Sequence, residues 1–359
     1  MRYVLIVAGG SGKRLWPLSR QDMPKQLLKV VGGKSLLRLA YERVEGLVPD
    51  ANILVCTGRD YADTVAADLP EVPAANILGE PEGRDSLNAV AWPAAVLAAR
   101  DPEAVVAVVT ADQIMNPVEA FQAALEEGFT VAEESPDVLV TFGVVPTSPH
   151  TGYGYLHRAE ELDGFPGVHR VAEFKEKPSR EVAEQYLATG EYWWNAGMFV
   201  WRAQTLLGQL DQLLPDTAAK VRAIVADPRR LDEIFPTLRK ISVDYAVMEP
   251  ASVGRTDAEV VSVGLAIDWR DVGGFVSLAG LLTQDEHGNA VDGAAVTLDS
   301  QGCVLINTTG AGHVLGAIGL RDCLVVSTPT ATLVAPLADS ERVKELVALV
   351  REKAGDQFA

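Results

Sequence analysis

The chain has 359 residues, and its 49 acidic against 31 basic residues give a formal charge of -18. This length favours two domains, one large and one small, while the negative balance argues against nucleic acid or an anionic membrane as a partner. No apolar run is long enough to span a bilayer, and three cysteines are too few for a disulfide scaffold, so we expect a cytoplasmic protein.

Short apolar runs alternate with helical patterns over the first 145 residues. Continuous runs of Val, Ile and Leu between helices are typical of a sheet that is covered on both faces. We therefore predict a doubly wound α/β unit that binds ligands beyond the carboxyl ends of its strands. The predicted strands are 3–8, 52–58, 104–110 and 137–145, and the predicted helices are 36–47 and 117–134.

From about residue 146 the sequence becomes rich in Gly, Pro, Tyr and Trp. Strands are predicted at 167–177 and 195–202, and helices at 203–213 and 216–226. No flexible linker precedes this region, so we interpret it as a substrate-binding elaboration of the first unit. After residue 283, short β runs punctuated by Gly, Asp and Asn favour a small β-helical or β-sandwich module, which ends in a helix at 340–354.

The segment VAGGSGKRLWPLSRQDMPKQ, residues 7–26, places glycines and four basic residues against one acid after the first strand. It fails the nucleotide-hydrolase template, because Val7 stands where glycine is required, and the dinucleotide template, because of Leu15. What remains is a glycine loop whose N–H groups could approach a phosphate, followed by cations. The alternative is a tight turn with solvated basic residues.

This segment resembles the opening motif of the sugar-nucleotide pyrophosphorylases, and residues 16–20 and 24–26 resemble the mannose-1-phosphate guanylyltransferases in particular. The resemblance implies a Rossmann-like nucleotidyltransferase domain with a doubly wound mixed sheet over 1–282. A short left-handed β-helix-like domain with a terminal helix would follow over 283–359. Arg14 and Lys25 would be catalytic. The implied nucleotide-binding loop residues are Ala8, Gly9, Gly10, Ser11, Gly12 and Lys13.

Residues 79–90, GEPEGRDSLNAV, resemble the part of the family that reads the base and holds the triphosphate. The resemblance implies this role for Glu80, Arg84 and Ser86. A carboxylate suits guanine, because it can accept from both N1–H and N2–H. The chain has Asp-Ser-Leu-Asn at 85–88, where the family usually has Asn-Thr-Ala-Pro.

Two aspartates resemble the metal ligands of the family. Asp112 follows an apolar strand, with Gln113 where the family has His, and Asp271 stands in the motif Trp-Arg-Asp-Val-Gly. Asp268 is a nearby competitor outside that motif. The resemblance implies a Mg²⁺ cofactor at Asp112 and Asp271, and two carboxylates with phosphate and water are a usual Mg²⁺ environment.

Three further segments resemble the sugar-binding parts of the family. The resemblance implies that these segments contact the sugar phosphate through a carboxylate, an amide, a cation and loop residues. Asp244 and Tyr245 would help to shape the sugar side of the same site. The implied sugar-phosphate residues are Gly152, Tyr153, Glu176, Lys177 and Asn195.

The resemblance implies the transfer of GMP from GTP to α-D-mannose 1-phosphate, which yields GDP-mannose and pyrophosphate, in a homodimer built through the C-terminal domain. Phosphate chemistry alone selects neither guanine nor mannose. A pyrophosphorylase for another nucleotide or hexose 1-phosphate therefore remains an alternative. A non-catalytic regulator that binds nucleotide sugars is another, favoured by Gln113 and the altered segment 85–88.

Overall fold

The structure is a computed structural model that describes residues 1–10 and 12–359, without the side chains at 30 and 31. The strands are β1 (Arg2–Ala8), β2 (Lys29–Val31), β3 (Lys34–Ser35), β4 (Ile53–Gly58), β5 (Ile77–Glu80), β6 (Val105–Thr110), β7 (Gln113–Asn116), β8 (Val138–Val144), β9 (Tyr155–Glu161), β10 (Val168–Lys175), β11 (Tyr192–Arg202), β12 (Glu259–Leu265), β13 (Asp268–Asp271), β14 (Ala290–Asp292), β15 (Ala295–Leu298), β16 (Val304–Asn307), β17 (Leu315–Ile318), β18 (Cys323–Ser327) and β19 (Thr332–Pro336). The α-helices are α1 (Leu36–Val44), α2 (Ala62–Asp68), α3 (Asp85–Arg100), α4 (Val118–Glu134), α5 (Arg180–Thr189), α6 (Ala203–Leu213), α7 (Pro215–Ala226), α8 (Leu231–Ile234), α9 (Glu249–Ser252), α10 (Phe275–Ala279) and α11 (Val343–Ala354).

The chain divides into two compact units. Unit 1 comprises Met1–Gly9, Ala40–Ala111 and Met115–Trp269, and unit 2 comprises Gly10–Leu39, Asp112–Ile114 and Arg270–Ala359.

Unit 1 is built on a mixed nine-stranded sheet in the order β5-β4-β1-β6-β11-β8-β12-β10-β9. Parallel pairing joins β5, β4, β1 and β6, and β11 then runs antiparallel to both β6 and β8. The strands β4 and β6 are buried over five of their six residues. Such apolar strands need cover on both faces, so the predicted α/β class with a mixed sheet is confirmed.

Unit 2 combines the glycine-rich loop with a coil of short strands. In that coil β14, β16 and β18 stack in parallel, and β15 pairs in parallel with β17. Parallel stacking of successive coils is β-helix-like and excludes the β-sandwich alternative, whose sheets are antiparallel. The handedness of the coil stays a prediction.

A single hydrophobic cluster joins the loop and the coil within unit 2. Leu15 and Trp16 from the loop are buried in it together with Leu324 from β18 and Val343 and Val347 from α11. The indole Nε1 of Trp16 also donates to the carbonyl of Phe358 at 2.6 Å. The loop therefore takes its shape from residues more than 300 positions away.

None of the helices in the described part of the chain is long and apolar enough to cross a membrane.

Candidate active site

The predicted phosphate loop follows β1, whose last residue, Ala8, is buried. Gly12 has φ +59°, and a Cβ built on it would lie 2.7 Å from Cβ of Lys25. The hydroxyl of Ser19 donates to the Gly12 carbonyl at 2.5 Å and helps to fix this turn. Glycine fits both the conformation and the contact, and it lets the loop lie directly against Lys25.

The other predicted loop residues surround this turn. Gly10 has φ +96°, and Cβ atoms built on Gly9 and Gly10 would meet open space. Lys13 is exposed. Ser11, another predicted nucleotide ligand, lies outside the described residues.

Lys25 and Asp112 form an ion pair inside unit 2. The ammonium donates to Asp112 Oδ2, and only 13% and 24% of the two side chains are exposed. The backbone carbonyl of Asp112 accepts from the N–H of Val272 at 2.8 Å. The segment that begins at Asp271 is thus hydrogen-bonded to the segment that carries Asp112.

Arg14 lies beside Asp271. A Cβ built on Gly273 would lie 2.9 Å from Asp271 Oδ2 and 3.5 and 3.6 Å from the two Nη atoms of Arg14. Arg14 Nη1 also donates to Glu341 Oε2 at 3.2 Å, and both side chains are exposed. Each predicted metal carboxylate therefore has a predicted catalytic cation close to it.

The donor set at Asp112 and Asp271 fits a divalent ion that also binds phosphate. The described residues contain no group of three or more His, Cys, Asp or Glu side chains able to hold a metal. Mg²⁺ is commonly held by one or two carboxylates, with water and substrate phosphate completing its shell, so two aspartates are sufficient. Asp268, the competing carboxylate, belongs to unit 1.

The predicted sugar-phosphate residues form a hydrogen-bonded cluster in unit 1. Glu176 and Asn195 are 6% and 7% exposed. Lys177 Nζ donates to Glu176 Oε1 at 2.5 Å, and Asn195 Nδ2 donates to Asp244 Oδ1 at 3.1 Å. A Cβ on Gly154 would lie 2.7 Å from Glu176 Oε2, so glycine leaves space for this carboxylate.

Burial and neighbouring charges shift the pKa values of ionisable groups in this cluster. Burial and the Glu176 carboxylate raise the pKa of Asp244. Burial is the largest single effect on Lys177 and lowers its pKa, but the hydrogen bond from its ammonium to Glu176 and the negative charges of Glu176 and Asp244 together outweigh burial, so the pKa is raised overall. Lys177 has φ +46°, an unusual backbone conformation that is often found at functional sites. A cation paired with a carboxylate can exchange that carboxylate for a phosphate.

The predicted loop residues Gly152 and Tyr153 pack against aromatic rings. The Tyr153 ring stacks on His150 at 3.9 Å between centroids and meets Trp194 and Trp269 edge-on. The N–H of Gly152 donates to His150 Nδ1 at 3.2 Å. These contacts give the loop an ordered apolar wall.

The predicted base-reading residues lie around the start of α3. Glu80, at the end of β5, is buried, and its Oε1 has no hydrogen-bond partner among the described residues. Burial raises the pKa of Glu80 to about 7. Arg84 precedes the helix and pairs with Glu82, whereas the Ser86 hydroxyl accepts from the N–H of Val243 at 3.1 Å. A buried carboxylate oxygen without a donor is suited to receive one from a ligand.

Sequence reasoning missed one residue of the sugar-side cluster. Thr141, fully buried in β8, donates to Asn195 Oδ1 at 2.8 Å and leaves the Asn195 amide nitrogen directed to Asp244. A threonine inside an apolar strand gives no signal in the sequence, because only the pairing of β8 with β11 brings it to Asn195.

Comparison with known proteins shows two family models along the chain. The nucleotidyl transferase model matches residues 3–287, and a model described as a mannose-phosphate isomerase/GMP-like β-helix domain matches residues 293–349. The two matches account for most of the chain and follow one another without overlap.

Individual relatives match over nearly the whole chain. A mannose-1-phosphate guanylyltransferase from Klebsiella pneumoniae is 36% identical over 364 aligned positions, which cover 99% of this chain and 75% of the relative. A protein of the same name from Escherichia coli is 35% identical with the same coverage. A solved structure described as mannose-1-phosphate geranyltransferase from Thermus thermophilus has 33% identity and a TM-score of 0.85, over 98% of this chain and 99% of that chain.

Proposed function

We propose that this chain, which belongs to the nucleotidyl transferase family, transfers GMP from GTP to α-D-mannose 1-phosphate and releases pyrophosphate. The relatives that match nearly its full length are named for this activity. The observation that carries the proposal is the arrangement in unit 2, where Asp112 lies against Lys25 and Asp271 lies beside Arg14. Two carboxylates and two cations on linked segments are suited to holding a polyphosphate.

The reaction needs no protein nucleophile. An oxygen of the sugar phosphate attacks the α-phosphorus of GTP, a new P–O bond forms, and the bond to the departing pyrophosphate breaks in line with it. Catalysis then consists of positioning two polyanions and neutralising the charge that shifts to the leaving group. Arg14 and Lys25 supply this neutralisation, with Gly12 and its neighbours offering backbone N–H groups to the phosphates.

We assign the divalent ion to Asp112 and Asp271, and we propose Mg²⁺ because both ligands are hard oxygens. When bound, the ion would neutralise phosphate charge and help to align the reacting groups. Nucleotidyltransferases generally use a divalent metal. Lys25 pairs with Asp112 in the structure. It therefore neutralises the charge of that carboxylate until the substrate phosphate binds.

Substrate recognition is assigned to residues of unit 1. The ionised Glu80 carboxylate accepts from the N1–H and N2–H of guanine, and Arg84 and Ser86 assist at the nucleotide. Asn195 and Glu176 bind sugar hydroxyls. Lys177 meets the sugar phosphate, because its ammonium is the cation of that cluster.

We further propose that the chain forms a homodimer through its β-helix-like coil. Val296, Leu298 and Ile318 lie on the β15–β17 sheet and are 64%, 58% and 72% exposed, with Leu298 and Ile318 directly paired in register. Two copies of a chain with charge -18 repel each other, so an uncharged face is the favourable place for them to meet. Ile318→Lys should yield monomers in light scattering, whereas Val145→Lys, at a site 64% exposed in unit 1, should not.

A coupled assay of pyrophosphate release tests the proposed reaction. GTP, ATP, UTP and dTTP are each combined with mannose 1-phosphate or glucose 1-phosphate in the presence of Mg²⁺. We expect the highest kcat/KM with GTP and mannose 1-phosphate. Binding of GDP-mannose without any turnover would contradict the proposal and favour a regulatory protein.

A further inference from the structure

The C-terminal segment of unit 2 reaches the phosphate loop through a carboxylate. Glu341 lies in a 3₁₀-helix, Leu337–Arg342, that immediately precedes α11. Its Oε2 accepts from Arg14 Nη1 at 3.2 Å. Its other oxygen, Oε1, lies 3.0 Å from the position of a Cβ built on Gly274, the residue that directly follows the motif that carries Asp271. Glu341 thus lies beside both the proposed catalytic arginine and the proposed metal-binding segment.

We infer that Glu341 binds Arg14 when the site holds no phosphate and competes with the leaving pyrophosphate for the guanidinium. This inference rests on the proposed function of Arg14. A guanidinium binds a carboxylate or a phosphate through the same N–H groups, so occupancy by one partner opposes the other. The contact is single and exposed, with 46% and 63% of the two side chains accessible, so the polyphosphate can displace it.

The competition has a function in turnover. GTP carries enough charge to displace Glu341 from Arg14, and Arg14 then stabilises the transition state. Once the bond to the α-phosphorus breaks, Glu341 regains Arg14 and lowers the affinity of the site for pyrophosphate. A site without this carboxylate would bind polyphosphate more tightly and release it more slowly.

Glu341→Gln tests the inference, since it removes the charge and keeps the size of the side chain. Titration calorimetry with inorganic pyrophosphate and Mg²⁺ should give binding about 2- to 5-fold tighter than that of the unmodified protein at low ionic strength, the range expected of one exposed ion pair. The difference should shrink as salt is added. Pyrophosphate should also become a stronger product inhibitor by a similar factor.

Glu345→Gln is the matched control. Glu345 lies at the start of α11 and pairs with Arg342 at 3.5 Å, so its substitution makes the same change in net charge on the same segment without touching Arg14. Equal tightening in both variants would overturn the inference, because it would reflect general electrostatics alone. Weaker or unchanged pyrophosphate binding in Glu341→Gln would also overturn it, because Glu341 would then orient Arg14 or have no effect.

Two further measurements distinguish a failure of this inference from a failure of Glu341→Gln to fold and from a failure of the proposed function. If Glu341→Gln does not fold, Glu341→Asp provides the test: its shorter side chain loosens the contact, and intermediate tightening is expected. Unchanged binding in a folded Glu341→Asp would then refute the inference. Turnover of the unmodified protein with GTP and mannose 1-phosphate is measured in parallel, since its absence would refute the proposed function itself and not only the role of Glu341.

Discussion

Replacing Gly12 with alanine should lower turnover far more than it lowers the stability of unit 2. Gly12 has φ +59°, and the new Cβ would lie 2.7 Å from Lys25 Cβ and 3.2 Å from both its Cγ and its backbone nitrogen. Contacts of 2.7 Å force a shift, and the backbone atom nearby limits where Lys25 can go. The left-handed conformation alone costs alanine about 1 to 2 kcal/mol of stability. Displacement of Lys25 by about 1 Å should lower turnover roughly 100-fold.

Gly32→Ala is the control for backbone strain. Gly32 has φ +56°, almost the same as Gly12, and a Cβ built on it would meet nothing within 4 Å. Both variants should lose free energy of unfolding in urea denaturation because of the shared backbone strain, and Gly12→Ala should lose more because of its contact with Lys25. Only Gly12→Ala should lose most of its pyrophosphate release at saturating GTP and mannose 1-phosphate. Full activity in Gly12→Ala, or an equal loss in both variants, would refute the proposed placement of Lys25 by this glycine.

Three other predictions concern the base, the metal and the sugar. The pKa of Glu80 is raised to about 7 by burial, so this group is protonated and loses an acceptor as the pH falls through that value. The kcat/KM for GTP should therefore fall below about pH 7, and Glu80→Gln should abolish that part of the profile; an unchanged profile would exclude Glu80 as the base reader. Chelation should abolish turnover and Mg²⁺ should restore it, while Asp271→Asn should cost roughly 100-fold or more in kcat at ordinary Mg²⁺ concentrations; activity in excess chelator would count against the metal site. Thr141→Val removes the hydrogen bond to Asn195 and should raise the KM for mannose 1-phosphate without changing the KM for GTP, with about 1 kcal/mol lost in stability; an equal rise in both KM values would point to a general distortion.

Sequence reasoning recovered the helices and strands whose apolar residues repeat at a regular spacing. The strand predicted at 137–145 is observed as Val138–Val144, and the helices predicted at 203–213 and 216–226 are observed as Ala203–Leu213 and Pro215–Ala226. These segments repeat apolar residues at strand or helix spacing and are bounded by turn residues. Local pattern was therefore sufficient for them.

The longest miss was α3, Asp85–Arg100. Its sequence holds Pro93 within an apolar run, and proline normally argues against a helix interior. Eleven of its sixteen residues are buried, so tertiary packing outweighs the local cost of the proline. The helix begins directly after Arg84, so the altered segment 85–88 forms its first turn.

The residues of the candidate site could be named from the sequence, but the contacts between them could not. Motif resemblance named Arg14, Lys25 and Asp112, yet nothing in local sequence indicates that Lys25 pairs with Asp112 or that Glu341 reaches Arg14. These contacts join residues 87 and 327 positions apart, which periodicity cannot relate. The roles of the named residues stay predictions, as does a domain boundary at 282/283.

The shared hydrophobic cluster of unit 2 has a consequence for synthesis of the chain. Leu15 and Trp16 emerge from the ribosome long before their buried partners Leu324, Val343 and Val347, which are made more than 300 residues later. At typical translation rates, roughly 5 to 20 residues per second, the loop waits some tens of seconds for them. The nascent chain therefore buries its glycine-rich loop only after these residues have been made, and a ribosome that stalls before the β-helix-like coil would leave the strands of the large sheet made and the loop unsupported.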